Sequence, residues 1–163
     1  MEVPLQNLIT GVENSKKEIE QVMQIGALAY CAEMLGGAQR VMEMTLDYAR
    51  QRNQFGHPIG SLQAIQHYCA NMAIDIDASK LHVYKAAWTI DEGNDSGALV
   101  SVAKAWCNDA YRRVLNLAHQ IHGAIGWTKE MDLELYTRRS VGMISTFGDA
   151  DFHREQIARY LNF

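Results

Sequence analysis

The chain has 163 residues, 48% of them hydrophobic, a formal net charge of −4 and only two prolines. That is enough apolar material for one packed domain, which excludes a disordered chain. Charges of both signs are mixed along the sequence, with no basic stripe for nucleic acid and no polybasic patch for a membrane surface. No apolar run reaches the roughly 20 residues of a membrane span.

Residues 1–12, "MEVPLQNLITGV", lack helical period and read as an extended lead-in with no signal peptide. Ser15 and Glu18 stand at capping-box spacing. From there Ile19, Val22, Ile25, Leu28, Leu35, Ala38, Met42 and Thr45 keep helical steps. They predict a first helix to about residue 52, on the order of 55 Å long. Gly36-Gly37 in its middle predicts close packing of another backbone.

Ser61 is the expected cap of a second helix, with Leu62, Ile65, Cys69, Met72, Ile76, Val83, Ala87 and Ile90 as its stripe and Gly93 as its stop. Ser96 is the expected cap of a third, whose stripe is Leu99, Val102, Trp106, Ala110, Val114, Leu117 and Ile121, ended by Gly123. Thr128 opens a fourth, "KEMDLELYTRRSV", acidic at its start and carrying Arg138 and Arg139 at its end, the order a helix dipole favours. Asp149 caps a fifth, "ADFHREQIARYL". With no strand alternation and no repeat, the pattern predicts an all-α fold: an antiparallel four-helix up-and-down bundle with an additional short C-terminal helix.

Cys31, Cys69 and Cys107 fall on apolar helix faces and form no C-x-x-C, so they read as buried free thiols of a reducing, cytoplasmic compartment. No Glu has a His three residues later, which removes the di-iron reading of a helical bundle. His119 and His122 lack a carboxylate or cysteine to complete a ligand set and read as partly exposed structural residues. No metal is expected.

Two connections carry more chemistry than a helix turn needs. The first runs "YARQRNQFGHPIGSLQAIQH" over residues 48–67. Arg50 and Arg52 suit a helix C-terminus and Gly56 a left-handed cap. The gathering of Gln54, Phe55, Gln63 and Gln66 around one turn suits a dinucleotide: charge for phosphates, a ring and amides for a base. The second is "HQIHGAIGW", residues 119–127, where Gln120 precedes Gly123 and Gly126, glycines that let a ligand approach the backbone. Spacing alone leaves nucleotide binding and plain helix caps both open.

In order and separation these clusters resemble the carboxy-terminal helical domain of the acyl-CoA dehydrogenases. That family carries R-x-x-F-G after its first long helix, matched by Arg52, Phe55 and Gly56. It carries Q-x-x-G-G-x-G-aromatic after its third, matched by Gln120, Gly123, Gly126 and Trp127, with Ala124 at the second glycine. "VPLQNL" at 3–8 is similar to the segment leaving the family's middle β-domain, and "LGGAQR" at 35–40 to its packed glycine region. The resemblance covers essentially the whole chain. It implies residues 1–12 as linker from a missing middle β-domain and 13–163 as the helical domain.

It further implies an FAD-dependent α,β-dehydrogenation of acyl-CoA thioesters in fatty acid metabolism, with electrons passed to an electron-transfer flavoprotein. Arg52, Gln54, Phe55 and Gln63 would hold one FAD, and Gln120, Gly123 and Ala124 that of a neighbouring subunit, in a homodimer, a tetramer or an assembly with a sister subunit. The family's base, in a Y-E-G-T segment, is replaced here by Phe147 in "TFGD", and the alternative base position on the first helix is Gly26. Gly26, Ala27, Tyr30 and Phe147 would line what remains of the acyl pocket. Three readings stand: Asp149 or Asp151 as a displaced base, Glu33 two turns beyond Gly26, or a non-catalytic helical partner that supports FAD and assembly. The isolated chain is expected to be inactive.

Overall fold

The structure, a computed structural model, describes Pro4, Asn7 and residues 15–163. The expected extended lead-in, and its reading as an interdomain linker, otherwise lie outside the described residues. Five helices follow: α1 (Ser15–Gln51), α2 (Gln63–Asp91), α3 (Gly97–His122), α4 (Leu133–Ser145) and α5 (Ala150–Tyr160). A short antiparallel hairpin, β1 (Asn53–Gln54) with β2 (His57–Pro58), links α1 to α2.

The first three helices run up, down and up, so α1 and α3 are parallel. At one end Ser96 Oγ donates to Gln24 Oε1 across 3.1 Å. At the other the Tyr48 ring stacks on the His122 imidazole at 4.5 Å. α3 is the central rod, with 16 of its 26 residues buried against eight of 37 in α1. A helix buried on nearly every side has no single apolar stripe. This is why the expected row of Leu99, Val102, Trp106 and Leu117 is only half-buried, while Val100, Ala103, Cys107, Tyr111 and Ala118 form the true centre.

The fourth position of the bundle is shared by α4 and α5, which descend beside α3 one after the other. Thr137 meets His119 near the top. Met143 O lies on Lys104 at mid-height. Tyr160 meets Gly97 at the foot. The four-helix bundle with an added short helix is thus borne out, with the break between the last two helices at Thr146–Gly148.

Several local expectations are corrected. Gly36 faces open space, and Gly37 accommodates the Tyr111 hydroxyl rather than another backbone. Ser61 does not cap α2: its hydroxyl donates to Pro58 O, and the cap position is Leu62. Ser96 is at the cap of α3, but its hydroxyl reaches Gln24 and leaves the Gly97 amide to Asp95. On α2, Ala87 is exposed and Ala86 buried, and the inner face includes Asp75, Ser79 and Thr89. Asp75 is buried because Arg113 holds both its oxygens, at 2.8 and 2.6 Å. α4 begins at Leu133, five residues after Thr128, so Arg138 and Arg139 lie mid-helix and pair with Glu134 and Glu33. Asp149 does cap α5, accepting from Phe152 N at 2.8 Å.

Ile19, Val22 and Ile25 are 63%, 66% and 56% exposed although they sit on the predicted stripe. Gln24 is level with the α2–α3 connection, so the turns before it overhang the bundle.

Candidate functional site

Both chemistry-rich connections lie at one end of the bundle. α1 ends at Gln51 and the chain enters the hairpin, where Arg52 fixes its base by accepting from Ile59 N at 2.8 Å. Gly56 is therefore not a helix cap but the second residue of the hairpin turn. Its φ is 84° and that of Phe55 is 55°, the both-positive pattern of a two-residue type I′ turn. Asparagine and glycine suit such a turn; a phenylalanine there is strained, by about 1–3 kcal/mol. Phe55 is nevertheless 87% exposed, so no packing offsets the strain. Arg52, Gln54 and Gln63 are exposed around it, whereas Gln66 turns back to donate to Gly60 O.

The second cluster follows α3 as a 3-10 turn, Gly123–Trp127. Gly123 has φ 66° and ψ −141°, a region open essentially to glycine alone, with nothing within 4 Å of where a Cβ would stand. Ala124 and Gln120 are exposed beside it. Gly126 serves a different purpose from the expected ligand approach: a Cβ there would lie 3.1 Å from His119 Nδ1 and 3.2 Å from Leu133 Cδ2, so it lets the turn seat on α3 and α4.

His119 and His122 are buried beneath this turn, not partly exposed as expected. Each ring stacks on an aromatic: His119 on Trp127 at 3.8 Å, His122 on Tyr48. His122 Nδ1 lies 2.8 Å from Ala118 O, which can only accept, so Nδ1 carries the proton and Nε2 is a bare acceptor. Thr137 Oγ1 donates to Leu133 O, so His119 Nε2 donates to it across 2.7 Å and Nδ1 is bare. Neither bare nitrogen has a hydrogen-bond partner among the described residues. Burial lowers both imidazoles below their usual pKa and keeps them neutral.

The other candidate positions meet toward the opposite end of the bundle, where Gly26 lies two residues beyond Gln24. A Cβ on Gly26 would stand 2.5 Å from Phe147 Cζ, so the ring occupies the space that a side chain at residue 26 would need. Tyr30 meets the same ring edge-on at 5.5 Å. Phe147 sits in the helix break with φ 61°. The break strands the last carbonyls of α4, and a fully buried lysine satisfies them. Lys104 Nζ donates to Met143 O and to Asn108 Oδ1, both at 2.8 Å, while Asn108 Nδ2 donates to Ile144 O at 3.2 Å. The positive end of this side chain faces the negative end of the α4 dipole, though burial still lowers its pKa. His153 Nε2 donates to Phe147 O at 2.9 Å and completes the clamp.

Among the described residues Glu20 is a carboxylate lining the groove beside this ring, 3.8 Å from Lys16, and the three acids considered as bases are engaged elsewhere. Asp149 is occupied as the α5 cap, Asp151 pairs with Arg154 at 2.6 Å, and Glu33 is bound by Arg139 at 2.8 and 3.2 Å. An open groove of about 390 Å³ beside it is lined by Ala27, Ser101, Phe147, Phe152, His153 and Gln156, among others. Cys31 and Cys107 face each other in the core as free thiols; the hydrogen bond to Cys107 and burial raise the Cys31 pKa.

Lys104, Asn108, His153 and Tyr48 escape the sequence reading. One signal was present for Lys104: it lies four residues after Val100 and three before Cys107, a charge within the innermost row of α3. Among the described residues no group of three metal-binding side chains occurs, and no helix is long and apolar enough to cross a membrane.

An all-helical bundle with these two motifs at one end matches the family model described as acyl-CoA dehydrogenase, C-terminal domain, over residues 17–162. The chain belongs to the acyl-CoA dehydrogenase family. It is 35% identical over 159 residues to a probable acyl-CoA dehydrogenase, YngJ, of Bacillus subtilis, spanning 98% of this chain and 42% of that one. Its fold superposes on butyryl-CoA dehydrogenase from Megasphaera elsdenii with a TM-score of 0.93 at 27% identity, over 99% of this chain and 42% of the other. A structure described as PigA with FAD and proline gives 0.82 at 28% identity, over 86% and 37%. The chain spans about two fifths of the length of the relatives it matches.

Proposed function

We propose that this chain is the helical carboxy-terminal part of an FAD-dependent acyl-CoA dehydrogenase and that it holds the cofactor without supplying the base. The observation that carries the first half is the hairpin tip. A strained aromatic, Phe55, is presented to solvent between exposed donors at the same end of the bundle as the Gln120–Ala124 bend. Strain kept at an exposed position fits a residue held ready for a ligand. FAD fits these groups. Arg52 offers a fork of donors to a pyrophosphate, Phe55 a flat face, Gln54, Gln63 and Gln120 amide bonds, and Gly123 an open backbone. When bound, FAD supplies the acceptor for the hydride that leaves the acyl β-carbon. In this reading Arg52, Gln54, Phe55 and Gln63 serve one cofactor, and Gln120, Gly123 and Ala124 that of an adjoining subunit.

What supports the second half is the Gly26–Phe147 contact, which fills both base positions with one hydrocarbon ring. No group at either place accepts the α-proton of an acyl thioester. This chain's part is then to orient FAD and wall the acyl pocket, beside a sister subunit that carries a carboxylate. An electron-transfer flavoprotein takes the electrons.

The test is flavin retained, by absorbance after gel filtration, on the assembly purified through this chain. Flavin is expected to co-elute, and Arg52→Ala or Gln120→Ala to weaken it by tenfold or more. An assembly without flavin, or one indifferent to both substitutions, overturns the first half. Phe147→Ala is expected to leave acyl-CoA oxidation by that assembly within about threefold; its abolition overturns the second.

A further inference from the structure

Two thiols meet in the core, and the cofactor reading uses neither. Cys31 of α1 and Cys107 of α3 are 0% and 1% exposed, and both are free. The parallel course of α1 and α3 brings them together. Gln24 reaches Ser96 near one end and Tyr48 reaches His122 near the other, so residue 31 falls within about a turn of residue 107. The two thiols are joined by a hydrogen bond.

The surroundings suit a bond between the sulfurs. One turn before each cysteine stands a buried alanine, Ala27 on α1 and Ala103 on α3. Side chains this short let two helix backbones come close, and a disulfide needs Cα atoms about 4.4–6.8 Å apart. Lys104, wholly buried, lies three residues before Cys107 on the inner face of α3, and its positive charge favours a thiolate on either sulfur. The two thiols are not equivalent. The hydrogen bond from Cys31 draws the Cys107 pKa down against the effect of burial, with help from Lys104, whereas the same bond and burial push Cys31 up. Cys107 is therefore the sulfur that ionises first and attacks. Cys69, half-buried on α2, has only burial acting on it, which raises its pKa.

We propose that Cys31 and Cys107 are a redox pair, which a small hydroperoxide oxidises to a disulfide stapling α1 to α3 and a thiol reductant reopens. The Cys107 thiolate attacks one peroxide oxygen. The O–O bond breaks, Cys107 becomes a sulfenic acid, and the departing hydroxide takes up the proton Cys107 released, leaving as water. The Cys31 sulfur then attacks the Cys107 sulfur. The S–O bond breaks, and the hydroxide leaves with the Cys31 proton as a second water. Two thiols lose two electrons and the peroxide gains them. Both sulfurs are shut off from bulk water, so the oxidant must be small and uncharged and enter through local openings of the bundle. The pairing of these thiols is independent of flavin binding at Arg52 and Gln120.

The test is intact-mass spectrometry of the native 163-residue chain after treatment with excess hydrogen peroxide, without reductant. The chain is expected to lose two hydrogens, to regain them with dithiothreitol, and to give a proteolytic peptide cross-linked between Cys31 and Cys107. Cys69→Ser should behave in the same way. Cys31→Ser removes the resolving thiol, so Cys107 should stop at the sulfenic acid and take up dimedone at least about tenfold more than Cys69 in the same sample. A parent chain that gains oxygen on Cys107 without a cross-link overturns the proposal. So does a cross-link through Cys69, or a mass unchanged until urea is added. If Cys31→Ser fails to fold, the masses of the parent chain and of Cys69→Ser still decide.

Discussion

The contact between Gly26 and Phe147 is open to a double-mutant cycle. Gly26→Ala places a methyl group 2.5 Å from Cζ and 2.6 Å from Cε1 of the ring. The ring has little room to retreat, because Tyr30 stands against its edge and His153 holds the Phe147 carbonyl. Overpacking of this kind costs about 1–3 kcal/mol. Replacing glycine by alanine inside a helix returns about 1 kcal/mol. The net expectation is a loss of about 0–2 kcal/mol for Gly26→Ala in urea denaturation. Made in a Phe147→Ala background, the same change meets no ring and should stabilise by roughly the helical gain of 1 kcal/mol. The cycle therefore predicts a coupling of at least about 1 kcal/mol between residues 26 and 147, beyond the few tenths within which independent sites add. Gly26→Ala that stabilises equally with and without the ring would refute the reasoning, because the ring would then not be lodged on α1.

Three further outcomes follow from the same geometry. Phe55→Asn should raise stability by about 1 kcal/mol, since asparagine tolerates the left-handed turn and an exposed ring gives up no packing; it should at the same time lower flavin retention by the assembly, and a destabilised variant would show that the ring packs in the fold. His119, His122 and His153 all have pKa values lowered by burial. The unfolded chain then binds more protons, so stability is full above about pH 6.5 and falls as pH drops through that value, by up to about 1.4 kcal/mol per pH unit for each histidine. Urea midpoints at pH 7.5, 6.0 and 5.0 measure this, and a midpoint that rises on acidification contradicts it. Lys104→Met leaves Met143 O and Asn108 Oδ1 without their donor, at about 1–3 kcal/mol for each orphaned acceptor; a melting temperature equal to or above that of the parent chain would show that the buried ammonium is dispensable, as some buried ion pairs are.

The helices were legible because their signals are local. Apolar steps of three and four, Gly93 after α2 and the Asp149 cap all act within one or two turns. The hairpin was not, because strands of two residues are too short to alternate, and its turn carries Phe-Gly where Asn-Gly is the usual signature. The expected row of α3 holds at Ala110, Val114 and Ile121 but follows the flank at Leu99, Val102, Trp106 and Leu117, because alanine, lysine and asparagine fill much of the inner face. The amides at 54, 63 and 120 stand out in sequence because they gather around two turns, and all three are exposed, but their spacing alone leaves nucleotide binding and helix caps equally open. That Gly26 touches Phe147 could not, because the two are 121 positions apart and meet only when the last rod folds down beside α3.

The break in that last rod sets how the domain comes apart. Of the 11 residues of α5 only Ala150 and His153 are buried, whereas α4 is tied to the core through Leu133, Ser140 and Met143 and by the lysine beneath its end. A segment so lightly seated opens by itself long before the whole bundle melts. Its amide protons should trade with deuterium earliest among the five helices. Each such excursion lifts away the His153 side of the clamp on Phe147, so the aromatic stopper is only as durable as the most easily shed piece of the chain.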